Sequence, residues 1–335
     1  MLELDGAAGG GQLLRSALTL AMCTGQAFHI RRIRSGRSKP GLMRQHLTAV
    51  DAAAAICSAD VDGAAPGATA LRFTPGTIRG GDYAFAIGTA GSTTLVLQTV
   101  LPALLCANTP STIDLQGGTH NPLAPPAEFL RDAYLPLLQR MGADVELELQ
   151  RPGFYPAGGG ALRASIHPCP LQPLTLRERG ALSGLQALAW TSGIAPSVGE
   201  RELAIVQRRL GLDAADLQRR TVQPPSGPGN ALLLFARHEA VCEVFCGFGA
   251  RGVSAEAVAE RTCEAVRDYL CGSAAVGACL ADQLLLPLAL AGGGTFTTAR
   301  ITDHLQSNAR LIEKFLPVEI DWHESDGCWQ VDVRR

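Results

Sequence analysis

Apolar residues fall at helical spacing in three stretches that each contain a glutamine four positions before a small or apolar turn: Gln12-x-x-x-Ser16-Ala17-Leu18, Gln98-x-x-x-Pro102-Ala103-Leu104 and Gln283-x-x-x-Pro287-Leu288-Ala289. Each opens or enters an apolar helix preceded by small residues. A polar or Gly-containing turn and a short strand follow every one, at Phe28–Ile30, Thr112–Leu115 and Phe296–Ala299. Second helices are predicted from about Leu42 to Ile56, Ala127 to Met141 and His304 to Leu316, each ending in a strand at Ala59–Val61, Ala143–Leu147 or Val318–Ile320. The pattern predicts an α/β (α+β) fold in which one unit is used three times.

The first two glutamines are 86 residues apart and the next two 185, so the third unit starts 99 residues late. The extra segment fits residues 177–271, which carry helical patterns at Gly199–Leu210 and Val253–Tyr269 and an apolar strand at Ala231–Phe235. Residues 1–176 and 272–335 are therefore expected to form one three-repeat domain, with 177–271 as an inserted small domain. The turn Gln223-Pro224-Pro225-Ser226-Gly227-Pro228-Gly229 reads as a loop inside that insertion. Its eleven arginines are matched by eleven acidic residues, so composition does not mark it as a nucleic-acid-binding module.

A chain of 335 residues, 47% hydrophobic and 18% charged, exceeds one typical domain and can bury a large core. Apolar runs such as Leu284–Ala291 are far shorter than the roughly 20 residues of a membrane span. With no basic, apolar leader at the N-terminus, the expectation is a cytoplasmic protein that does not engage a membrane. Ten cysteines lack paired C-x-x-C spacing, and Cys23, Cys57 and Cys106 lie in apolar helical runs, as reduced core thiols would. Cys242, Cys246 and His238 could be grouped as metal ligands, but the alternation around Phe245 reads as a strand.

A net charge of −2 argues against a broad grip on duplex nucleic acid, yet leaves room for a short anionic ligand. Only Lys39 and Lys314 are lysines against 27 arginines, and Arg31, Arg32, Arg34, Arg37 and Arg44 crowd one segment. Guanidinium is the better bidentate partner for phosphate. Glycine-rich turns adjoin helices at Gly9-Gly10-Gly11, Gly88-Thr89-Ala90-Gly91-Ser92 and Gly277; they could cradle phosphate on free helix-start N–H groups, or serve tight packing equally well. None has the P-loop or dinucleotide pattern. His304 stands where Ile301-Thr302-Asp303 leads into a helix that Pro317 stops. The positive end of a helix disfavours a second positive charge, so an imidazole there presents a neutral, nucleophilic nitrogen.

These motifs together resemble the RNA 3′-terminal phosphate cyclase family. They are Leu4-Asp5-Gly6 with Gly9-Gly10-Gly11-Gln12-Leu13-Leu14-Arg15-Ser16; Arg34-Ser35-Gly36-Arg37 with Lys39-Pro40-Gly41-Leu42 and Arg44-Gln45-His46-Leu47; Gly88–Ser92 through Gln98; Ala124-Pro125-Pro126; Gly153-Phe154-Tyr155-Pro156 with Gly158-Gly159-Gly160; Leu280-Ala281-Asp282-Gln283; and His304. The resemblance implies three repeats like the C-terminal domain of a bacterial translation initiation factor plus one inserted domain. It also implies an ATP-dependent ligase aided by a divalent cation, Mg²⁺ or Mn²⁺, that turns an RNA 3′-phosphate end into a 2′,3′-cyclic phosphate through adenylyl-histidine and RNA-adenylate intermediates. His304 would be the nucleophile. Gln98, Pro125, Phe129, Cys279, Leu280, Ala281, Asp282 and Gln283 would contact ATP, and Arg15, Arg37, Arg44 and Gln45 the triphosphate or the RNA end. The partners so implied are RNA 3′-phosphate ends and ATP, and the oligomeric state, a homodimer included, is left open.

Two positions depart from the family pattern. Asp5-Gly6-Ala7-Ala8 runs directly into Gly9, where the family carries a longer loop with an acidic residue, which leaves the metal ligands unknown and Asp5, Asp282 or phosphate oxygens as candidates. Cys279 stands where the family commonly places a tyrosine against adenine, a loss worth about 1–3 kcal/mol by analogy with base stacking. Three rivals share parts of this reading: a non-catalytic RNA-binding scaffold of the superfamily, an enolpyruvyl-type transferase, and an enzyme adenylylating other phosphorylated nucleic-acid ends. The first should lack the histidine, and the second should need basic residues that a lysine-poor chain supplies sparingly.

Overall fold

The computed structural model describes every residue of the chain except Ala8. The chain begins β1 (Leu2–Asp5), α1 (Gly10–Thr24), β2 (Phe28–Arg31), α2 (Arg44–Cys57), β3 (Asp60–Asp62), β4 (Leu71–Thr74). It continues β5 (Asp82–Ala86), α3 (Thr93–Leu105), β6 (Ser111–Gly117), α4 (Ala127–Phe129), a π-helical turn (Leu130–Tyr134), α5 (Leu135–Arg140), β7 (Asp144–Arg151), β8 (Gly160–His167) and β9 (Leu174–Leu176). Then come β10 (Leu182–Ser192), α6 (Ser197–Leu210), β11 (Leu217–Thr221), β12 (Gly229–His238), β13 (Cys242–Phe248) and α7 (Ala255–Cys271). The last stretch is α8 (Ala278–Leu290), β14 (Gly293–Thr298), α9 (Asp303–Phe315), β15 (Glu319–Ser325) and β16 (Cys328–Arg334).

The strands form four sheets of four. Three have one topology: β1-β2-β4-β3, β5-β6-β8-β7 and β9-β14-β16-β15, with the first pair parallel and the others antiparallel. The fourth, β11-β10-β12-β13, is ordered differently and lies wholly between β9 and α8. One of its faces packs Ala187, Ala189, Leu232 and Leu234 against Val206 of α6 and Ala259, Cys263 and Val266 of α7. Its other face sends Leu188, Trp190, Leu233, Phe235 and Val244 into the main core. Strand alternation explains both contacts, since neighbours along β10 and β12 point to opposite sides. The segment is thus seated on the body of the protein through half of its sheet.

Helices fill the centre. α1 packs against α2, α3 and α9, α2 against α3, and α8 against α9. α3 and α8 are apolar nearly all round, as helices enclosed on every side must be. α9 buries one stripe, Leu305, Asn308, Ala309, Leu311, Ile312 and Phe315, at three- and four-residue spacing. Pro102 and Pro287 occupy matching sites in α3 and α8; lacking an N–H, each leaves the carbonyl four residues earlier, that of Gln98 or Gln283, without its intrahelical donor.

Two elements differ from the pattern's expectation. α2 begins at Arg44 rather than Leu42, because Leu42 N–H donates to Ala68 O and is held in a loop–loop contact. The helix expected over 127–141 contains a π turn in which Leu135 N–H donates to Leu130 O, five residues back. Pro136 explains the expansion, since it cannot donate to Asp132 O. No helix among the described residues is long and apolar enough to cross a membrane.

Glu202 of α6 is 0% exposed; Oε1 accepts from Asn230 Nδ2 at 2.5 Å, while Oε2 has no partner among the described residues. Burial, opposed by the Asn230 hydrogen bond, pushes its carboxyl up to about 8. A raised carboxyl favours folding while the folded state holds the extra proton, so this contribution is complete below an ordinary carboxylate pKa and is lost as pH climbs to about 8. We expect Glu202→Gln to flatten the fall of thermal stability between pH 5 and pH 8 and to raise the melting temperature at pH 8 by a few degrees. Melting curves across that range check it, and an unchanged slope would contradict the burial argument.

Candidate functional site

Helix starts converge on one region, and side chains stitch them together. Gln45 Oε1, in the first turn of α2, accepts from Ser92 N–H at the start of α3 at 2.7 Å. Gln98 Nε2 donates to Gln283 Oε1, joining α3 to α8 beside the two prolines. Thr302 Oγ1 donates to Asp282 Oδ1, joining α8 to α9, and accepts from Leu305 N–H at 2.9 Å as the cap of α9. His46 of α2 stands against Gly11 of α1: a Cβ on Gly11 would lie 2.6 Å from His46 Nε2 and 3.1 Å from Arg15 Nη1. Only glycine permits that approach.

The start of α1 is cationic. Arg15 is half-buried, and burial lowers its guanidinium to about 10. Arg37 lies over Gly10, whose φ of +56° is a glycine conformation. His46 Nδ1 accepts from Met43 N–H at 3.1 Å, and burial, with Arg15 and Arg34 nearby, lowers the ring to about 3. A neutral ring accepting at Nδ1 carries its proton on Nε2, aimed toward Gly11 and Arg15. Arg32 is paired with Asp5, and Arg34 donates to the carbonyls of Lys39 and Gly41. Arg15, Arg37 and Arg44 have no carboxylate partner among the described residues. Two guanidiniums without acids, those of Arg15 and Arg37, beside an uncapped helix start suit a phosphate.

The three glycine-rich turns are not equivalent. At α3, Ser92 Oγ accepts from Leu95 N–H and Thr93 N–H donates to Gly118 O. At α8, the N–H of Gly277, the residue before the helix, donates to Glu243 Oε2 at 2.7 Å. The starts of α1 and α8 have no side-chain cap, whereas α3 has Ser92. Glu243 is buried and pushed up to about 7 by that burial, against hydrogen bonds from Gly277 and Val244.

His304 lies in the first turn of α9 and is exposed. Asp282 is half-buried; burial raises its carboxyl, while the Thr302 hydrogen bond and the charges of His304 and Arg300 lower it. Cys279 is exposed on the first turn of α8, and Leu280 and Ala281 beside it are fully buried, so only their backbones could meet a ligand. Pro125 is half-buried and its carbonyl accepts from Thr94 Oγ1 at 2.7 Å. Phe129 is 3% exposed and belongs to the core.

Sequence reasoning missed a buried network centred on Glu128, next to Phe129 in the chain. Glu128 Oε2 pairs with His120 Nε2 at 2.8 Å, and Glu128 Oε1 accepts from Trp190 Nε1 at 2.8 Å. Burial would raise the Glu128 carboxyl, but His120 and these hydrogen bonds outweigh it and hold it at about 2. His46, Arg34, Arg300 and Glu243 were also assigned no role from sequence; Arg44-Gln45-His46 was the one local signal that could have singled out His46. Among the described residues no group of three or more His, Cys, Asp or Glu could hold a metal. Asp5 is engaged by Arg32 and by Ala7 N–H, and Ala8, in the shortened loop before Gly9, lies outside the described residues. Asp282 is left as a single carboxylate that fits an ion held mainly by phosphate oxygens.

Arg15→Gln and Arg37→Gln are each expected to weaken pyrophosphate binding about 10-fold or more, the worth of one charge-assisted hydrogen bond. Titration calorimetry reads this directly; wild-type affinity in both variants would remove the anion assignment.

Comparison with known proteins agrees over nearly the whole chain. A family profile described as RNA 3′-terminal phosphate cyclase matches residues 7–322. The chain is similar to proteins named RNA 3′-terminal phosphate cyclase from Pseudomonas fluorescens (58% identical, covering 96% of this chain and 94% of the relative), Ralstonia nicotianae (56%; 95% and 92%) and Salmonella paratyphi C (50%; 100% and 98%). Among solved structures, the enolpyruvyl transferase NikO from Streptomyces tendae is 13% identical with a TM-score of 0.29, covering 99% of this chain and 82% of that one, a likeness too weak to carry an argument. With matches of this identity and extent, the chain belongs to the RNA 3′-terminal phosphate cyclase family.

Proposed function

We propose that His304 is the nucleophile of an ATP-dependent cyclisation of RNA 3′-phosphate ends. The protein is a cyclase of ligase type that uses ATP, as its family membership implies. The observation that carries the assignment to His304 is its exposed position in the first turn of α9, whose cap Thr302 is held by Asp282. A ring nitrogen there attacks the α-phosphorus of ATP; a P–N bond forms and the P–O bond to pyrophosphate breaks. An oxygen of the RNA 3′-phosphate then attacks the same phosphorus, the P–N bond breaks, and the RNA end carries AMP in a mixed anhydride. The neighbouring 2′-hydroxyl attacks the 3′-phosphorus, loses its proton and releases AMP, leaving the 2′,3′-cyclic phosphate.

Each proposed role has a physical basis. Asp282 is a positioning residue: through Thr302 it fixes the turn that carries His304. The N–H groups of Asp303 and His304, free of the cap that Leu305 uses, favour the charge spreading over the α-phosphate. Arg15, Arg37 and Arg44 receive pyrophosphate or the RNA terminal phosphate, and Gln45 sets the α3 start against them. Gln98 and Gln283 brace each other beneath the nucleotide, and Pro125 and Cys279 flank the base. A divalent cation, Mg²⁺ or Mn²⁺, would neutralise phosphate charge when bound, with Asp282 as its protein ligand. The three sheets of common topology are three copies of one β-α-β-α-β-β unit like the C-terminal domain of a bacterial translation initiation factor, and residues 177–271 are a domain inserted after the first strand of the third copy.

Incubation with ATP labelled at the α-phosphorus is expected to yield an acid-labile, base-stable protein adduct that His304→Ala abolishes. No adduct with Mg²⁺ or Mn²⁺ would sink the nucleophile and favour an RNA-binding scaffold. Cys279→Tyr is expected to lower the dissociation constant for ATP about 5-fold or more by restoring a base stack; an equal or higher constant counts against the stacking argument.

A further inference from the structure

The segment Gly153-Phe154-Tyr155-Pro156 with Gly158-Gly159-Gly160 plays no part in the chemistry above, yet it joins the reaction centre to a cleft. Phe154 is buried and stacks on His120, with ring centroids 5.1 Å apart, which anchors the loop. Tyr155, next to it, is 63% exposed. On one side the loop touches the α3 glycine turn: a Cβ on Gly158 would lie 2.9 Å from Thr89 O and from Ala90 Cα. That turn is the one whose Ser92 N–H is held by Gln45. On the other side the loop continues into Arg151 and Pro152; Arg151 Nε donates to Gly159 O at 2.5 Å, and Ser226 Oγ donates to Pro152 O at 3.2 Å.

Beyond Arg151 a cleft of about 540 Å³ opens between the second sheet and the β10–β11 edge, bounded by Gln116, Gln150, Arg151, Trp190, Gln223 and Pro224 among others. No carboxylate lines it. Three side-chain amides and a cation are groups that can meet unpaired bases and their phosphates, and the exposed ring of Tyr155, in the loop that continues from Arg151 and Pro152, is a stacking platform. Double-stranded RNA would be read across a wide shallow groove and could not insert a base here.

We propose that Tyr155 and this cleft hold the single-stranded RNA that leads up to the 3′-phosphate end, with Tyr155 stacking on a base upstream of the terminal nucleotide and Arg151 facing the backbone. The inference rests on the cyclase reading for its substrate, but not on the identity of the nucleophile. Its test is direct binding by fluorescence anisotropy of two labelled probes bearing 3′-phosphates, a ribodecamer and a ribodinucleotide. Tyr155→Ala is expected to weaken decamer binding about 5- to 150-fold, the range for loss of one stacked base. Tyr155→Phe should restore it, because the ring suffices, and Arg151→Gln should weaken the decamer while reducing the salt dependence of its affinity. The dinucleotide, too short to reach the platform, should bind all three variants like wild type, which also shows that each variant is folded. Unchanged decamer binding in Tyr155→Ala, or equal losses for both probes, would overturn the proposal. Since no covalent step enters the measurement, a missing ATP adduct would count against His304 and leave this result standing on its own.

Discussion

Everything at this site depends on how four helix starts are brought together without leaving their N–H groups stranded. Each start exposes donors that the helix cannot satisfy, and crowding several of them into one region concentrates positive potential. The protein meets the problem differently at each. Ser92 and Thr302 cap α3 and α9 with their own hydroxyls, and Glu243 reaches across from β13 to Gly277 before α8. α1 begins without a side-chain cap, and it is there that Arg15, Arg37 and a neutral His46 gather. The Gln98–Gln283 contact holds the convergence in register where Pro102 and Pro287 have opened the helix ladders.

The segment between β9 and α8 is part of that arrangement. One face of its sheet is buried in the main core, and two of its side chains reach neighbouring elements: Trp190 donates to Glu128 of α4, and Glu243 accepts from Gly277 at the start of α8. The two carboxylates behave oppositely for one reason. Both are buried, but Glu128 faces His120 and an indole N–H and is held at about 2, whereas Glu243 has only backbone donors and is pushed up to about 7. Glu128 therefore remains a fixed charge over the physiological range. The α8 cap loses strength as pH falls through neutrality, because a protonated carboxyl is the poorer acceptor.

Periodicity made the helices and the interior strands legible, and it did so through burial. α1, α3, α8 and α9 present apolar stripes or surfaces long enough to read, and α9, observed at Asp303–Phe315, lies close to the expected His304–Leu316. The strands that escaped notice are short or carry alternate polar residues, such as β4 (LRFT), β5 (DYAFA) and β9 (LTL), and become strands by pairing with partners far away in sequence. Pro136 was visible, but whether it would end a helix or widen it into a π turn depends on the packing around Tyr134 and Leu135. The site shows the same division. His304, Asp282 and the arginines are marked by residue type beside recognisable turns, whereas Glu243 capping α8 and Trp190 holding Glu128 are pairings across 34 and 62 residues that no local pattern encodes. Phe129 follows a recognisable Ala-Pro-Pro turn, and its burial in the core is set by packing that no local pattern encodes.

Cys279 and the cationic start of α1 bear on different parts of the proposed reaction. Contacts to adenine are the same before and during phosphoryl transfer, so a pocket that lacks an aromatic face loses uniform binding; the substrate concentration needed for half-maximal rate rises while turnover is spared. Contacts to phosphate oxygens strengthen as charge moves onto the leaving pyrophosphate, and these act on turnover itself. In the proposed reading, this chain sets a thiol, Cys279, at the base and guanidiniums without carboxylate partners among the described residues near the phosphates. Its binding energy is thereby weighted toward the end of the nucleotide where bonds change. Such a protein keeps its chemistry with a loosened hold on adenosine, provided that nothing competes for its cations, and the pairing of Arg32 with Asp5 shows what an acid placed nearer α1 would do to them.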